Sequence, residues 1–228
     1  MTDRRLVIFD CDGVLVDSEP ISIAVLLEII AEAGIRIDPG DAYRRFLGRS
    51  MASIAAAIHE EFGLAITDEH LEAMRLRLYD RFRQALMPIP GLAAMLPALG
   101  PARCVASSSQ PERIRLSLGV TGLLEFFEPH IYSSTMVANG KPAPDLFLHA
   151  ANAMGMAPEH CIVVEDSPAG IEAARRAGMR VMAFTGGSHA GPADLRKTVA
   201  ALDPDIVFDD MRQLPDLIAG LDGQAATS

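Results

Sequence analysis

The 228-residue chain is half hydrophobic and 22 % charged, with a formal net charge of −10. Nucleic acid and anionic membrane surfaces demand a basic face, so this balance excludes both as main partners, and no apolar run approaches the ~18 residues of a membrane span. The length suits one large domain, or one domain with a small insert, in a cytoplasmic, monomeric protein.

The first predicted element is the apolar run Leu6-Val7-Ile8-Phe9, short and rich in β-branched and aromatic residues, which reads as a buried strand. It runs directly into Asp10-Cys11-Asp12-Gly13. In extended backbone, residues two apart share a face, so Asp10 and Asp12 project together off the strand's carboxyl end. Two carboxylates side by side repel, and such a pair is stabilised by a divalent cation or by sharing a proton. The same residues are also good turn formers, and this segment alone leaves both readings open.

From about residue 20 to 87 helical periodicity takes over. Helices are predicted over Ile21–Ala33, Ala52–Phe62 and Asp68–Leu86, with Gly34 and Gly63 just past two of their ends and Thr67 or Asp68 as an N-cap. No strand-like run interrupts them, so residues 17–87 form a helical insert with its own small core. Residues 1–16 and 88–228 make up the main domain.

After Pro88 strand and helix alternate. Helix Gly91–Leu99 leads to strand Arg103–Ala106, helix Pro111–Leu118 to a strand near His130–Tyr132, and helix Asp145–Met154 to strand Cys161–Val164. Helix Ala169–Ala177 then leads to strand Arg180–Phe184, and strand Ile206–Phe208 to helix Met211–Ile218. Such repeats predict an α/β fold, a parallel sheet with helices on both faces, whose ligands bind at the carboxyl ends of the strands. Cys11, Cys104 and Cys161 are far apart in apolar runs and read as buried thiols in a reducing compartment.

The strand ends carry the chemistry. Ser107-Ser108-Ser109 follows the second strand, where hydroxyls and free N–H groups can bind an anion, with Ser109 the better fit to a helix cap. Lys141 lies in Gly-Lys-Pro-Ala-Pro-Asp and is one of only two lysines against eighteen arginines. A compact ammonium suits a point contact with both phosphate and carboxylate. Glu165-Asp166 closes the 161–164 strand, followed by Ser167 as a helix cap and Pro168 as first helical residue. Acids there are also stabilised by the helix dipole alone.

Asp10-x-Asp12-Gly13, Ser107, Lys141 and Glu165-Asp166-Ser167-Pro168 with Gly170 together resemble the four motifs of the haloacid dehalogenase superfamily. The helical block after the first motif resembles the subgroup of β-phosphoglucomutase and small phosphosugar phosphatases. The resemblance spans Leu6 to about Leu217 and implies a Rossmann-like core with an inserted helical cap. It also implies Asp10 as the nucleophile that accepts a phosphoryl group and Asp12 as general acid and then base. Mg²⁺ would be held by Asp10, the backbone carbonyl of Asp12 and Asp166, with Glu165 nearby. Ser107 and Lys141, assisted by Gly13 and Ser108, would bind the phosphoryl oxygens of a small phosphate ester.

Two departures separate this chain from the mutases of that subgroup. The histidine they carry ten residues after the second acid is Ser22 here, and no lysine occurs between Gly13 and Gly140. Hydrolysis is therefore expected ahead of a β-phosphoglucomutase-type phosphate shift or a non-catalytic module that senses a phospholigand. Substrate choice is assigned to the insert, with Glu19 and Arg49 as candidates. Its positive charges are all arginine, which suggests an acidic phosphosugar such as 6-phosphogluconate.

Overall fold

The computed structural model describes residues 5–46, 51–100, 102–192 and 194–225. Strand β1 (Leu6–Phe9) is followed by helices α1 (Glu19–Glu32), α2 (Pro39–Phe46), α3 (Met51–Phe62) and α4 (Asp68–Ala85). The alternating part comprises α5 (Leu92–Met95), β2 (Arg103–Ser107), α6 (Pro111–Val120), β3 (Ile131–Ser133), α7 (Asp145–Ala153) and β4 (Cys161–Glu165). It ends with α8 (Pro168–Arg176), β5 (Arg180–Phe184), α9 (Leu195–Ala200), β6 (Ile206–Phe208) and α10 (Leu214–Ala225).

The six strands form one parallel sheet in the order β3-β2-β1-β4-β5-β6. Successive residues of each strand point to opposite faces, and both faces are buried. Val7, Phe9, Val105, Ile162, Val164 and Phe184 pack under one helical layer with Ile114 and Leu214. Leu6, Ile8, Cys104, Cys161, Val163 and Val181 pack under the other with Phe147, Ile171 and Val199. The α/β expectation holds on both faces, and the cysteines are free and buried.

The order of the strands places the site. The chain builds outward from β1 through β2 to β3, then crosses β1 and builds outward the other way from β4. The carboxyl end of β1 is thus the point where the winding reverses, and the loops there splay apart to leave a crevice. Asp10 is the residue that emerges at this point.

The helical insert has a separate core of Ile23, Leu26, Ile30, Ala42, Phe46, Ile54 and Ile58. Its two connections run side by side: Val16 bridges Pro88 in antiparallel sense, Asp17 N–H donates to Met87 O at 3.0 Å and Ile89 N–H to Leu15 O at 3.0 Å. Thr67 caps α4, its hydroxyl accepting the His70 N–H while His70 Nδ1 accepts that of Thr67. Helices α2 and α9 have no counterpart among the predicted elements, because each is short and buries only two side chains, Ala42 with Phe46 and Leu195 with Val199. Helix α5 stops at Met95, shorter than the predicted Gly91–Leu99. No helix among the described residues is long and apolar enough to cross a membrane.

Candidate active site

Four segments meet at the reversal point, and their side chains divide into two linked groups. In the first, Lys141 reaches over the sheet edge. Its ammonium donates to Asp10 Oδ1 at 2.5 Å, Glu165 Oε1 at 2.7 Å and Ala106 O at 3.0 Å, and lies 4.9 Å from the centre of the Phe147 ring. All three of its donors are used and its side chain is 4 % exposed. Burial disfavours the ammonium, but the charges of Asp10 and Glu165 outweigh that and raise its pKa above the ordinary lysine value.

Glu165 is bound at both ends. Its other oxygen accepts the Ser167 N–H at 2.7 Å and the Ser167 hydroxyl at 2.9 Å, and that hydroxyl accepts the Gly170 N–H at 3.1 Å to cap α8. Gly170 is required for this, since a Cβ there would lie 1.8 Å from Glu165 Oε1. Asp166 turns the other way, toward Gly13 and His189. Gly13 has φ +81°, and a Cβ on it would lie 2.0 Å from Asp166 Oδ2, so only glycine makes this turn. His189 is buried with Nε2 3.0 Å from Asp166 Oδ2, off line for a hydrogen bond, and neither ring nitrogen has a hydrogen-bond partner among the described residues.

The second group surrounds Asp12. Its Oδ1 accepts from the Ser18 hydroxyl at 2.6 Å and Arg113 Nη2 at 2.9 Å, and its Oδ2 from the Ser109 hydroxyl at 2.7 Å. Burial pushes this carboxyl up, but the Arg113 charge and the three donors hold it below the ordinary aspartate value. Asp10 and Asp166 behave oppositely. Burial raises both well above that value; the neighbouring carboxylates add to it, and Lys141 offsets only part.

Every predicted site residue at a strand end arrives at the crevice. Ser107 is buried and its hydroxyl accepts the Ser109 N–H at 3.1 Å, while Ser108 is exposed with its carbonyl accepting from Ser134 at 2.9 Å. Ser109 corrects its expected role. Gln110 is the N-cap of α6, and Ser109 instead donates to Asp12, because the loop turns its side chain back across the crevice. Glu19 opens α1, half-buried, its carboxyl pushed up to about 7 by burial and by the charges of Asp12 and Asp166. Arg49 lies outside the described residues.

Sequence reasoning missed Arg113 and His189. A signal for Arg113 was present: a cation in the first turn of a helix opposes its dipole and wants a reason. His189 follows the paired glycines Gly186 and Gly187, and the second of these clears room for its ring, where a Cβ would lie 2.5 Å from His189 Cε1.

A divalent cation suits this donor set. Among the described residues, Asp10 and Glu165 pair with Lys141, Asp12 pairs with Arg113, and Asp166 stands beside His189. Asp10 and Asp166 are held well above the ordinary aspartate value, as carboxyls short of positive charge are. Among the described residues no three His, Cys, Asp or Glu side chains already form a metal cluster. Mg²⁺ does not need one, since it binds through one or two carboxylates and keeps several waters.

The family model for haloacid dehalogenase-like hydrolases matches residues 4–178. The 6-phosphogluconate phosphatase of Escherichia coli is 33 % identical over 218 residues, covering 95 % of this chain and 96 % of the relative. Hexitol phosphatase A of the same organism is 31 % identical over 223 residues, covering 91 % of each. The crystal structure of a haloacid dehalogenase-like protein from Agrobacterium tumefaciens superposes with TM-score 0.84 at 37 % identity, covering 96 % of this chain and 99 % of that one. The chain belongs to the haloacid dehalogenase-like hydrolases. Within them it is an enzyme of the phosphatase type, similar to phosphatases of phosphorylated sugars.

Proposed function

We propose that this enzyme is a Mg²⁺-dependent phosphatase that hydrolyses a small phosphorylated metabolite, a sugar phosphate or an acidic phosphosugar such as 6-phosphogluconate, through an aspartyl-phosphate. The observation that carries this reading is the pairing of a buried, cation-bound Asp10 with a second acid two residues on, held in place by three donors of its own. The similarity to 6-phosphogluconate and hexitol phosphatases supports the substrate class.

In this mechanism Asp10 attacks phosphorus, the P–O bond to the leaving oxygen breaks, and Asp12 gives that oxygen its proton so that it departs as the alcohol. Asp12 then takes a proton from water as the water attacks the aspartyl-phosphate, which returns Asp10 and releases phosphate. Lys141 and Ser107 would bind the phosphoryl oxygens. Asp10, Asp166 and the backbone carbonyl of Asp12 would hold Mg²⁺, while Glu165 acts through Lys141 and the cap of α8. The bound cation supplies charge that offsets the phosphoryl oxygens as the bond is broken. Residues 17–87 serve as the cap that covers the crevice.

Ser22, where the mutases carry histidine, faces Arg113 at 3.5 Å, and this supports hydrolysis over phosphate transfer within a sugar. The test is phosphate release from a panel of phosphometabolites with and without Mg²⁺, with isomerised sugar phosphate measured in parallel. Release should require the metal, and Asp10→Asn should fold normally and lose at least ~10³-fold in kcat. Normal turnover by a folded Asp10→Asn enzyme would sink the mechanism.

A further inference from the structure

Arg113 touches both parts of the molecule at once. It projects from α6 in the core, where Nη2 donates to Asp12 Oδ1 at 2.9 Å. The same nitrogen lies 3.5 Å from the hydroxyl of Ser22 on α1, and the guanidinium sits 5.4 Å from the ring centre of Phe82 on α4, a side chain only 1 % exposed. Those two contacts come from the first and last helices of the insert. The Nε of Arg113 is buried with no hydrogen-bond partner among the described residues, so packing, not a full set of hydrogen bonds, holds the group at the seam.

We propose that Arg113 is a positioning residue that ties the orientation of the Asp12 carboxylate to the seating of the helical insert. The inference rests on the reading of Asp12 as general acid and base. A carboxylate on a loop has two side-chain torsions to fix, and proton transfer needs hydrogen-bond reach to the leaving oxygen. Ser18 and Ser109 fix one oxygen each, Ser18 as the N-cap of α1 and Ser109 from the core loop that precedes α6. Arg113 reaches α1 and α4 together, through Ser22 and Phe82. A shift of the insert withdraws Ser22 and the Phe82 face together, and the planar guanidinium loses what sets its tilt. Proton donation is thereby made strongest when the insert is seated.

The leaving group reads this out. An alkyl phosphate needs its departing oxygen protonated, whereas p-nitrophenyl phosphate leaves well without help. Arg113→Met, which keeps the apolar stem, should lower kcat/KM for glucitol 6-phosphate about 10²-fold but for p-nitrophenyl phosphate less than about fivefold, since kcat/KM reports the steps up to departure of the leaving group and not the later attack of water on the aspartyl-phosphate. Arg113→Lys should recover part of the alkyl activity. Phe82→Leu, remote from Asp12, should show the same selectivity at about a tenth of the size. Asp12→Asn serves as the reference and should show the selective loss of kcat/KM in full, while its kcat falls for both esters because water attack on the shared aspartyl-phosphate loses its base. Circular dichroism and thermal melts confirm that each variant is folded. If Asp12→Asn is selective but the folded Arg113 variants lose both esters equally, or neither, the positioning role is overturned while the Asp12 assignment stands. If Asp12→Asn is itself unselective, the acid assignment fails and the positioning role with it.

Discussion

The ion pairs of the core and those of the helical insert join the same kinds of group and differ in leverage. Lys141 is 4 % exposed and its partners Asp10 and Glu165 are 10 % and 1 % exposed, whereas Arg75 and Arg77 on α4 hold Glu72 and Glu32 with both partners of each pair 38 % or more exposed. In the crevice burial shields the ammonium from solvent, so its three contacts dictate where the carboxylates stand. On the insert the solvent does most of the stabilising, and each pair is nearly free to come apart. The core holds its reacting groups by buried pairs, whereas the insert's own ion pairs stand in solvent.

Lys141→Met puts the strongest strain on that contrast. It leaves Asp10 and Glu165 buried without their shared cation, a change that costs roughly 3–5 kcal/mol when one partner of a buried pair is removed. Urea unfolding should show that loss, and turnover should fall by more than ~10² in whatever protein remains folded. A melting midpoint equal to the parent's would mean the buried cluster is not what orders the crevice.

Glu19 stands between the two regimes, half-buried at the start of the insert. Its carboxyl titrates near 4.5 in an unfolded chain and is pushed up to about 7 in the folded one, chiefly by burial. A folded form that holds its proton more tightly is favoured at low pH and loses stability as pH rises from 4.5 through 7. Glu19→Gln removes that penalty. In EDTA the variant should match the parent near pH ~4 and exceed it at pH ~8 by about 1–2 kcal/mol, a figure reduced from the ~3 kcal/mol linkage ceiling because the group keeps some exposure. Equal stability at both pH values would place Glu19 with the solvated residues of the insert.

What could be read from the chain follows the same division. Asp10, Asp12 and Glu165-Asp166 were legible because a strand of four or five apolar residues announces its own end, and Lys141 because it is one of only two lysines, in a proline-rich loop just before a helix. Arg113 and the true partner of Ser109 were not, because their roles depend on Asp12 lying about 100 positions away and on how a loop turns across the sheet. His189 was hidden for a similar reason: its neighbour Ser188 is tied by its hydroxyl to Asp17 at 2.9 Å, a contact between distant loops that no local pattern encodes. The insert's arginines were legible as residues but not in direction. Arg44, Arg45, Arg75, Arg77 and Arg81 all pair with acids of the insert, with Asp41, Glu61, Glu72, Glu32 and Glu28.

That pairing bears on the substrate. An acidic phosphosugar was expected partly because the insert is rich in arginine, and five of those arginines already have partners on the insert itself. Arg77 is the sharpest case, with Nη1 2.7 Å from Glu32 and 4.0 Å from Glu28. Arg77→Ala should leave the melting midpoint within about 1 °C of the parent, because exposed pairs contribute little. KM for 6-phosphogluconate and for a neutral hexitol phosphate should be unchanged within twofold. A selective rise in KM for the carboxylate-bearing sugar would show that Arg77 leaves Glu32 to meet the substrate. The insert would then hold its ligand with charges that look merely solvated at rest, and the contrast between buried core pairs and solvated insert pairs would fail at Arg77.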